Sequence, residues 1–280
     1  MAWHGALTLA YRSEPLRGIA RTVLHDRHDG PLRVLASLYP EAPAVCHNVL
    51  VHPPGGLVGG DDLGIELNVG TGAHALVTTP GATRFYRSAG EPAVQRLSAH
   101  VAAGASLEWL PLETLAYSGC IGSNAMRFDL DPGAEMLGWD VLAVGLPASN
   151  LAFERGSFEQ RIELPGRWLE RGVVDAADVR LLDSPLGWAG HRVLATLWFA
   201  AGSALATTRR ERLLDAARAA CAAHPLNASA GTTAVDEAVV VLRVLAPRVE
   251  PAMALLTHVW AAWRESAWQL PACSPRVWRT

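Results

Sequence analysis

Three times in the first half of the chain an apolar residue is followed by two spacers and Gly-Ala: Val69 to Ala73, Val101 to Ala105 and Leu130 to Ala134. The first members lie 32 and then 29 residues apart, and each copy leads into an apolar-rich segment. Recurrence at such a period points to stacked structural layers. The competing explanation is that Gly-Ala pairs recur by chance in an Ala- and Gly-rich chain. Around the repeat, up to about Glu163, short alternating runs closed by Gly and Pro read as strands and turns. Ile65, Leu67 and Val69 alternate with Glu66 and Asn68, and Gly70-Thr71-Gly72 then leads into Ala73 to Thr79. That pattern predicts an antiparallel hairpin. Thr79-Pro80-Gly81-Ala82 places Pro and Gly as a type II turn requires.

After about Arg167 the apolar period changes from 2 towards 3.6. Arg209 to His224 puts Leu213, Leu214, Ala217 and Cys221 on one face and is stopped by Pro225, which predicts an amphipathic helix. Glu250-Pro251 opens a second, running to Trp268, with Leu256, Val259, Trp260, Trp263 and Ala267 at helical spacing. Ala238 to Ala246 between them reads as a buried strand.

Half of the residues are apolar and 18% are charged, enough for a large core. All 24 basic residues are arginine. Without lysine the chain can build no Walker A loop, no protein-kinase site and no Schiff base. A net charge of −3, with no arginine-rich arm, disfavours nucleic acid as a partner. The longest apolar run, Val193 to Ala206, is interrupted by Gly202 and Ser203 and falls short of the roughly 20 residues a membrane span needs. A cytoplasmic protein is expected, with no membrane partner, and with Cys46, Cys120, Cys221 and Cys273 as reduced thiols.

The segment richest in chemistry is Cys46-His47-Asn48-Val49-Leu50-Val51-His52-Pro53-Pro54-Gly55-Gly56-Leu57-Val58-Gly59-Gly60-Asp61-Asp62. Paired glycines signal positive φ or close backbone approach. A structural loop accounts for them, whereas a phosphate cradle lacks both the Lys and a following helix. Cys46, His47, His52, Asp61 and Asp62 offer thiolate, imidazole and carboxylate ligands of the kind first-row metals accept. No spacing matches a closed zinc cage, and adjacent Cys46 and His47 point to opposite faces of a strand. His74 and His100 read as satisfied structural groups. Asp61, Asp62, Glu108 and Glu113 are the acids available to a hydrolase, though no G-x-S-x-G, H-E-x-x-H or dinucleotide fingerprint accompanies them. On the residues alone, a β-rich carbohydrate- or protein-binding module and an acid/base hydrolase both stay open.

The block from His52 to Asp61 resembles the most distinctive motif of the UreD (UreH) family of urease accessory proteins. The register extends upstream to Gly30-Pro31-Leu32 and Tyr39-Pro40-Glu41. Downstream it takes in Thr79-Pro80-Gly81-Ala82-Thr83-Arg84-Phe85-Tyr86-Arg87-Ser88, Leu107-Glu108-Trp109-Leu110-Pro111 and the closing Pro275-Arg276-Val277-Trp278. The resemblance implies a mainly β fold of stacked β-helical, solenoid-like layers with two C-terminal helices packed on one flank. It fits one domain over residues 1–280, β-rich over 1–165 and mixed α/β over 166–280. It also implies a non-enzymatic scaffold that binds apo-urease with UreF and the GTPase UreG and assists nickel delivery. No cofactor is permanently bound, and Ni²⁺ passes transiently and weakly.

Under that resemblance Asp61, Asp62, Cys46, His47 and His52 are the candidate passage ligands. Pro53, Pro54, Gly55, Gly56, Gly59, Gly60, Thr83, Arg84, Tyr86 and Glu113 are the motif positions. Asp61 has a second possible role, accepting backbone N–H bonds that hold the loop. The chain departs from the family where Leu146, Asn150 and Leu151 stand in place of the usual Arg, Gly and Glu, and over Ala116-Tyr117-Ser118-Gly119-Cys120. The lost Arg and Glu are either an ion pair or a polar lining of the passage.

Overall fold

The computed structural model describes residues 2–279. A long antiparallel hairpin opens the chain, β1 (His4–Leu16) with β2 (Ile19–Asp29), followed by β3 (Arg33–Val34) and β4 (Val45–Val51). Repeating coils come next. The first holds β5 (Asp62–Val69), β6 (His74–Thr78) and β7 (Thr83–Phe85). The second holds β8 (Ala93–Val101), β9 (Ser106–Leu110) and β10 (Thr114–Ala116), and the third β11 (Ile121–Leu130) and β12 (Glu135–Val144). Strands β1, β5, β8, β11 and β13 (Ser157–Leu164) stack in parallel to form one sheet, while β4, β6, β9 and β12 do the same in the other. The result is a β-solenoid of about four turns.

The Gly-Ala repeat marks its corners. Gly72, Gly104 and Gly133 have φ of +72°, +72° and +85°, the left-handed backbone that glycine adopts without a Cβ penalty. Corner stacks on corner: Ala102 N–H donates to the Val69 carbonyl and Asp131 N–H to that of Val101, at 2.9 and 3.0 Å.

Two local expectations are corrected. β5 and β6 do not pair as a hairpin, for Gly70-Thr71-Gly72 carries the chain from one sheet to the other and each strand pairs with the neighbouring coils. Hairpin turns and solenoid corners use the same residues, and only the longer period separates them. Gly81 does not take the positive φ of a type II turn; the bend is held instead by the Thr79 hydroxyl, which donates to the Gly81 carbonyl and accepts from Leu112 N–H.

The chain then extends both sheets antiparallel. β14 (Trp168–Asp175) returns along β13, and after the short α1 (Val179–Asp183) the apolar run becomes β15 (Val193–Ala201), paired with β12 and buried on both faces. α2 (Thr207–Ala222) and α3 (Val249–Trp268) flank the hairpin of β16 (Ala230–Asp236) and β17 (Val239–Ala246). Both expected helices and the strand near residues 238–246 are present. Two cores result. The lumen between the sheets holds Leu9, Leu67, Phe128, Met136 and Trp198. A second core, with Trp139, Phe199, Leu213, Trp260 and Trp263, lies between the ten-stranded sheet and the helices. Among the described residues no helix is long and apolar enough to cross a membrane.

Candidate functional site

The glycine-rich loop between β4 and β5 is fastened to β7. Leu57 N–H donates to the Arg84 carbonyl and Tyr86 N–H to the Leu57 carbonyl, at 2.7 and 2.8 Å. Gly56 has to lack a side chain, because a Cβ there would lie 2.9 Å from the Arg84 carbonyl and would overlap the Tyr86 ring. Arg84 also donates to the Gly55 carbonyl, and Tyr86 meets Tyr117 edge to face. Between the two segments is a cleft of about 210 Å³ lined by His52, Gly55, Gly56, Thr79 to Arg84 and Gln95. Both ring nitrogens of His52 are buried there without a hydrogen-bond partner among the described residues, and burial holds its pKa below the usual imidazole value against the opposing charge of Asp61.

Gln95 leads from the cleft into the lumen. It is in register with Asn124 on β11, which is in register with Gln160 on β13, so three amides form an inward-facing ladder across adjacent strands. Gln95 donates to Asn124 at 3.3 Å, Asn124 donates to Asp140 Oδ1 at 3.5 Å, and Gln160 donates to Asp140 Oδ2. Asp140 lies on β12 with the parity of Met136 and Leu142, and therefore faces the same lumen. It is 4% exposed. Burial pushes its carboxyl up to about 7, the Gln160 hydrogen bond opposing and the Glu170 charge adding to the rise. Among the described residues no cation is among its partners. The sequence reading missed Asp140, Asn124 and Gln160; the available signal was a polar residue among apolar ones on the inward face of its strand.

On the opposite face of the ten-stranded sheet the buried charges are matched. Fully buried Arg264 of α3 donates through Nε to Glu108 at 3.1 Å and through one terminal nitrogen to both oxygens of Glu41 at 2.7 Å. His74 and Trp260 complete the shell of Glu108, and His47 binds Glu41. Burial alone raises Glu108, but the His74 hydrogen bond and charge, the Arg264 charge and the Trp260 N–H outweigh it, leaving the pKa below the ordinary value. Glu41 is likewise lowered, with His47 and Arg264 overcoming burial.

The five ligand candidates are not brought together. Asp61 is buried with both oxygens engaged, accepting from Trp3 N–H at 2.7 Å and Val58 N–H at 2.9 Å. Asp62 forms an exposed ion pair with Arg96. Cys46 faces the lumen and donates to Asn48, its thiol pKa raised by burial, whereas His47 faces the helices, as neighbours on a strand must. Only His52 opens on the cleft. Among the described residues no group of three or more His, Cys, Asp or Glu could hold a metal ion.

Of the motif positions, Pro53 and Pro54 are exposed and Gly55 and Gly60 take positive φ. A Cβ on Gly59 would lie 2.7 Å from the Glu91 carbonyl. Thr83 begins β7, and its N–H donates to the carbonyl of Glu113, whose carboxyl is raised by burial. Leu146 and Leu151 oppose one another in an antiparallel bridge, where an Arg and a Glu would form a cross-strand pair. Between them Asn150 has φ of +56°, the conformation that a glycine there adopts freely.

The family described as "UreD urease accessory protein" matches residues 4–279. Proteins named "Urease accessory protein UreD" from Leptothrix cholodnii and Variovorax paradoxus are each 60% identical over 280 residues, covering all of both chains. One from Albidiferax ferrireducens is 60% identical over 99% of each. A glycine loop locked onto β7, a stack of coils and a match spanning both lead to one conclusion: the chain belongs to the UreD family of urease accessory proteins.

Proposed function

We propose that this chain is a non-enzymatic scaffold of the cytoplasm that binds apo-urease together with UreF and UreG and conducts nickel between its two sheets towards the urease active site. The observation that carries the reading is the polar line Gln95–Asn124–Asp140–Gln160 running through a mainly apolar lumen, with the His52 cleft at one end. A buried carboxyl with no cation costs stability, which makes a structural role for it unfavourable. Amide and carboxylate oxygens hold a borderline cation weakly, and an acid that titrates near neutrality can take up the cation by releasing a proton and reverse the exchange. In this reading His52 receives the ion, Asp140 passes it on, and Asp61 holds the shape of the mouth through its two backbone bonds.

The test is co-expression with urease and its other accessory proteins, comparing wild type with Asp140→Leu. Nickel per urease active site and urease activity should both fall at least about tenfold, the scale of a lost metal partner. Co-purification of the complex should stay unchanged. Full nickel loading by the Leu variant would overturn the passage.

A further inference from the structure

The coils close in loops that stack at one end of the solenoid, and two of these loops bring arginines to the same place. Arg87 follows β7, Gly119 precedes β11 and Arg155 precedes β13. Ser88 N–H donates to the Gly119 carbonyl at 2.9 Å and Gly119 N–H to the Arg155 carbonyl at 2.6 Å, which ties the three loops together. Gly119 has φ of +87°, and a Cβ placed there would lie 2.8 Å from Cγ of Arg87 and 3.4 Å from Nε of Arg155. The two side chains therefore converge over a residue that has none. They line a cleft of about 600 Å³ with Ser88, Ala89, Ile121 and Gly156.

Both arginines are exposed, and among the described residues neither has a hydrogen-bond or ion-pair partner through its guanidinium. The acids nearest in sequence, Glu91 and Glu154, point into no ion pair either. Two like charges held side by side repel, and a bound oxyanion relieves the repulsion. Guanidinium forks match the geometry of a carboxylate. The cleft is broad rather than enclosed, which suits an acid carried on a protein surface better than an engulfed small molecule. Ser88, which lines this cleft, packs against the glycine loop, its Oγ 2.5 Å from where a Cβ on Gly59 would lie, so the arginine pair adjoins the loop that frames the His52 cleft.

We propose that Arg87 and Arg155 form a docking site for a carboxylate on an acidic segment of a protein partner. Its position beside an entry point for cargo rests on the nickel-delivery reading, while the recognition of carboxylate does not. The test uses the intact protein at low salt, with the side-chain Nε–Hε resonances of the two arginines assigned from the Arg87→Lys and Arg155→Lys variants. A capped pentaglutamate peptide should shift both resonances along one saturable curve and bind about tenfold more tightly than inorganic phosphate. Arg87→Gln/Arg155→Gln should weaken the peptide about tenfold, and Arg212→Gln/Arg218→Gln on α2, of equal charge change, should leave it unaltered. Three results would overturn the proposal: no shift of either resonance, phosphate binding as tightly as the peptide, or equal weakening by the α2 variant. If the peptide binds as expected but Asp140→Leu still loads nickel fully, the delivery reading fails and this site stands.

Discussion

The two faces of the ten-stranded sheet bury their acids in opposite ways. On the lumen side Asp140 meets two amides and, among the described residues, no cation, and burial raises its pKa to about 7. On the helix side Glu108 and Glu41 share Arg264, take a histidine each, and are held below their ordinary values. The signs follow by linkage. Asp140 is easier to protonate folded than unfolded, so its contribution to stability declines as pH rises from its ordinary value near 4 to about 7. Glu108 and Glu41 are harder to protonate folded, so the stability they bring is present above about 4.5 and is lost as pH falls through their depressed folded values. One face is built to hold and the other tolerates a cost, and that asymmetry separates structural charge from a candidate functional one.

Removing Arg264 breaks the comparison most severely. Arg264→Met leaves two buried carboxylates without their cation and should destabilise the protein by about 3–5 kcal/mol in urea unfolding at pH 7. Adding Glu41→Gln and Glu108→Gln should restore most of that loss. A cost below 1 kcal/mol would mean that the cluster is not the fastening described. Asp140→Asn tests the other face with the opposite sign: at pH 8 it should unfold at higher urea than wild type, by about 2–4 kcal/mol. The two stability curves should converge as pH falls towards 4. A difference that does not vary with pH would show that the carboxyl charge is not its source.

Asp61→Asn probes the boundary between holding and passing. Asn can accept one of the two backbone N–H bonds but turns an NH₂ towards the other, so stability should drop by about 1–2 kcal/mol. Nickel per assembled complex should stay at the wild-type level, and a fall in that ratio would return Asp61 to the passage. The smallest effect belongs to the surface. Asp62 and Arg96 are 41% and 54% exposed, and replacing both should change stability by no more than about 0.5 kcal/mol, as measured by thermal unfolding at two salt concentrations.

Much of this architecture is legible in the sequence, because its signals are periodic. Gly72, Gly104 and Gly133 announce corners, and the Leu213/Ala217/Cys221 and Leu256/Trp260/Trp263 spacings announce helices. The candidate site is less legible, since ligand chemistry concentrates in the glycine loop while the structure spends Asp61 and His47 on bonds to Trp3, Val58 and Glu41. Asp140 is a single polar residue within an apolar run, and Arg264 heads a polar Arg-Glu-Ser stretch near the end of a helix, where sequence periodicity treats the first as noise and the second as surface. Their roles depend on residues far away in the chain: Gln160 is in a different coil, and Glu41 lies 223 positions from Arg264.

That last separation bears on how the molecule is made. Strands β4, β6 and β9 can stack as they leave the ribosome, since each needs only its neighbour in the next coil. Their outer face, with His47, His74 and Glu108 upon it, has no cover until α3 has been synthesised and Trp278 has reached Thr78. The nascent chain thus carries an unmatched, partly apolar wall through most of its translation. Long-range closure of this kind is slow. The wall is covered only once α3 arrives, and a pause before residue 249 would prolong the interval in which a chaperone or a second nascent chain can reach it.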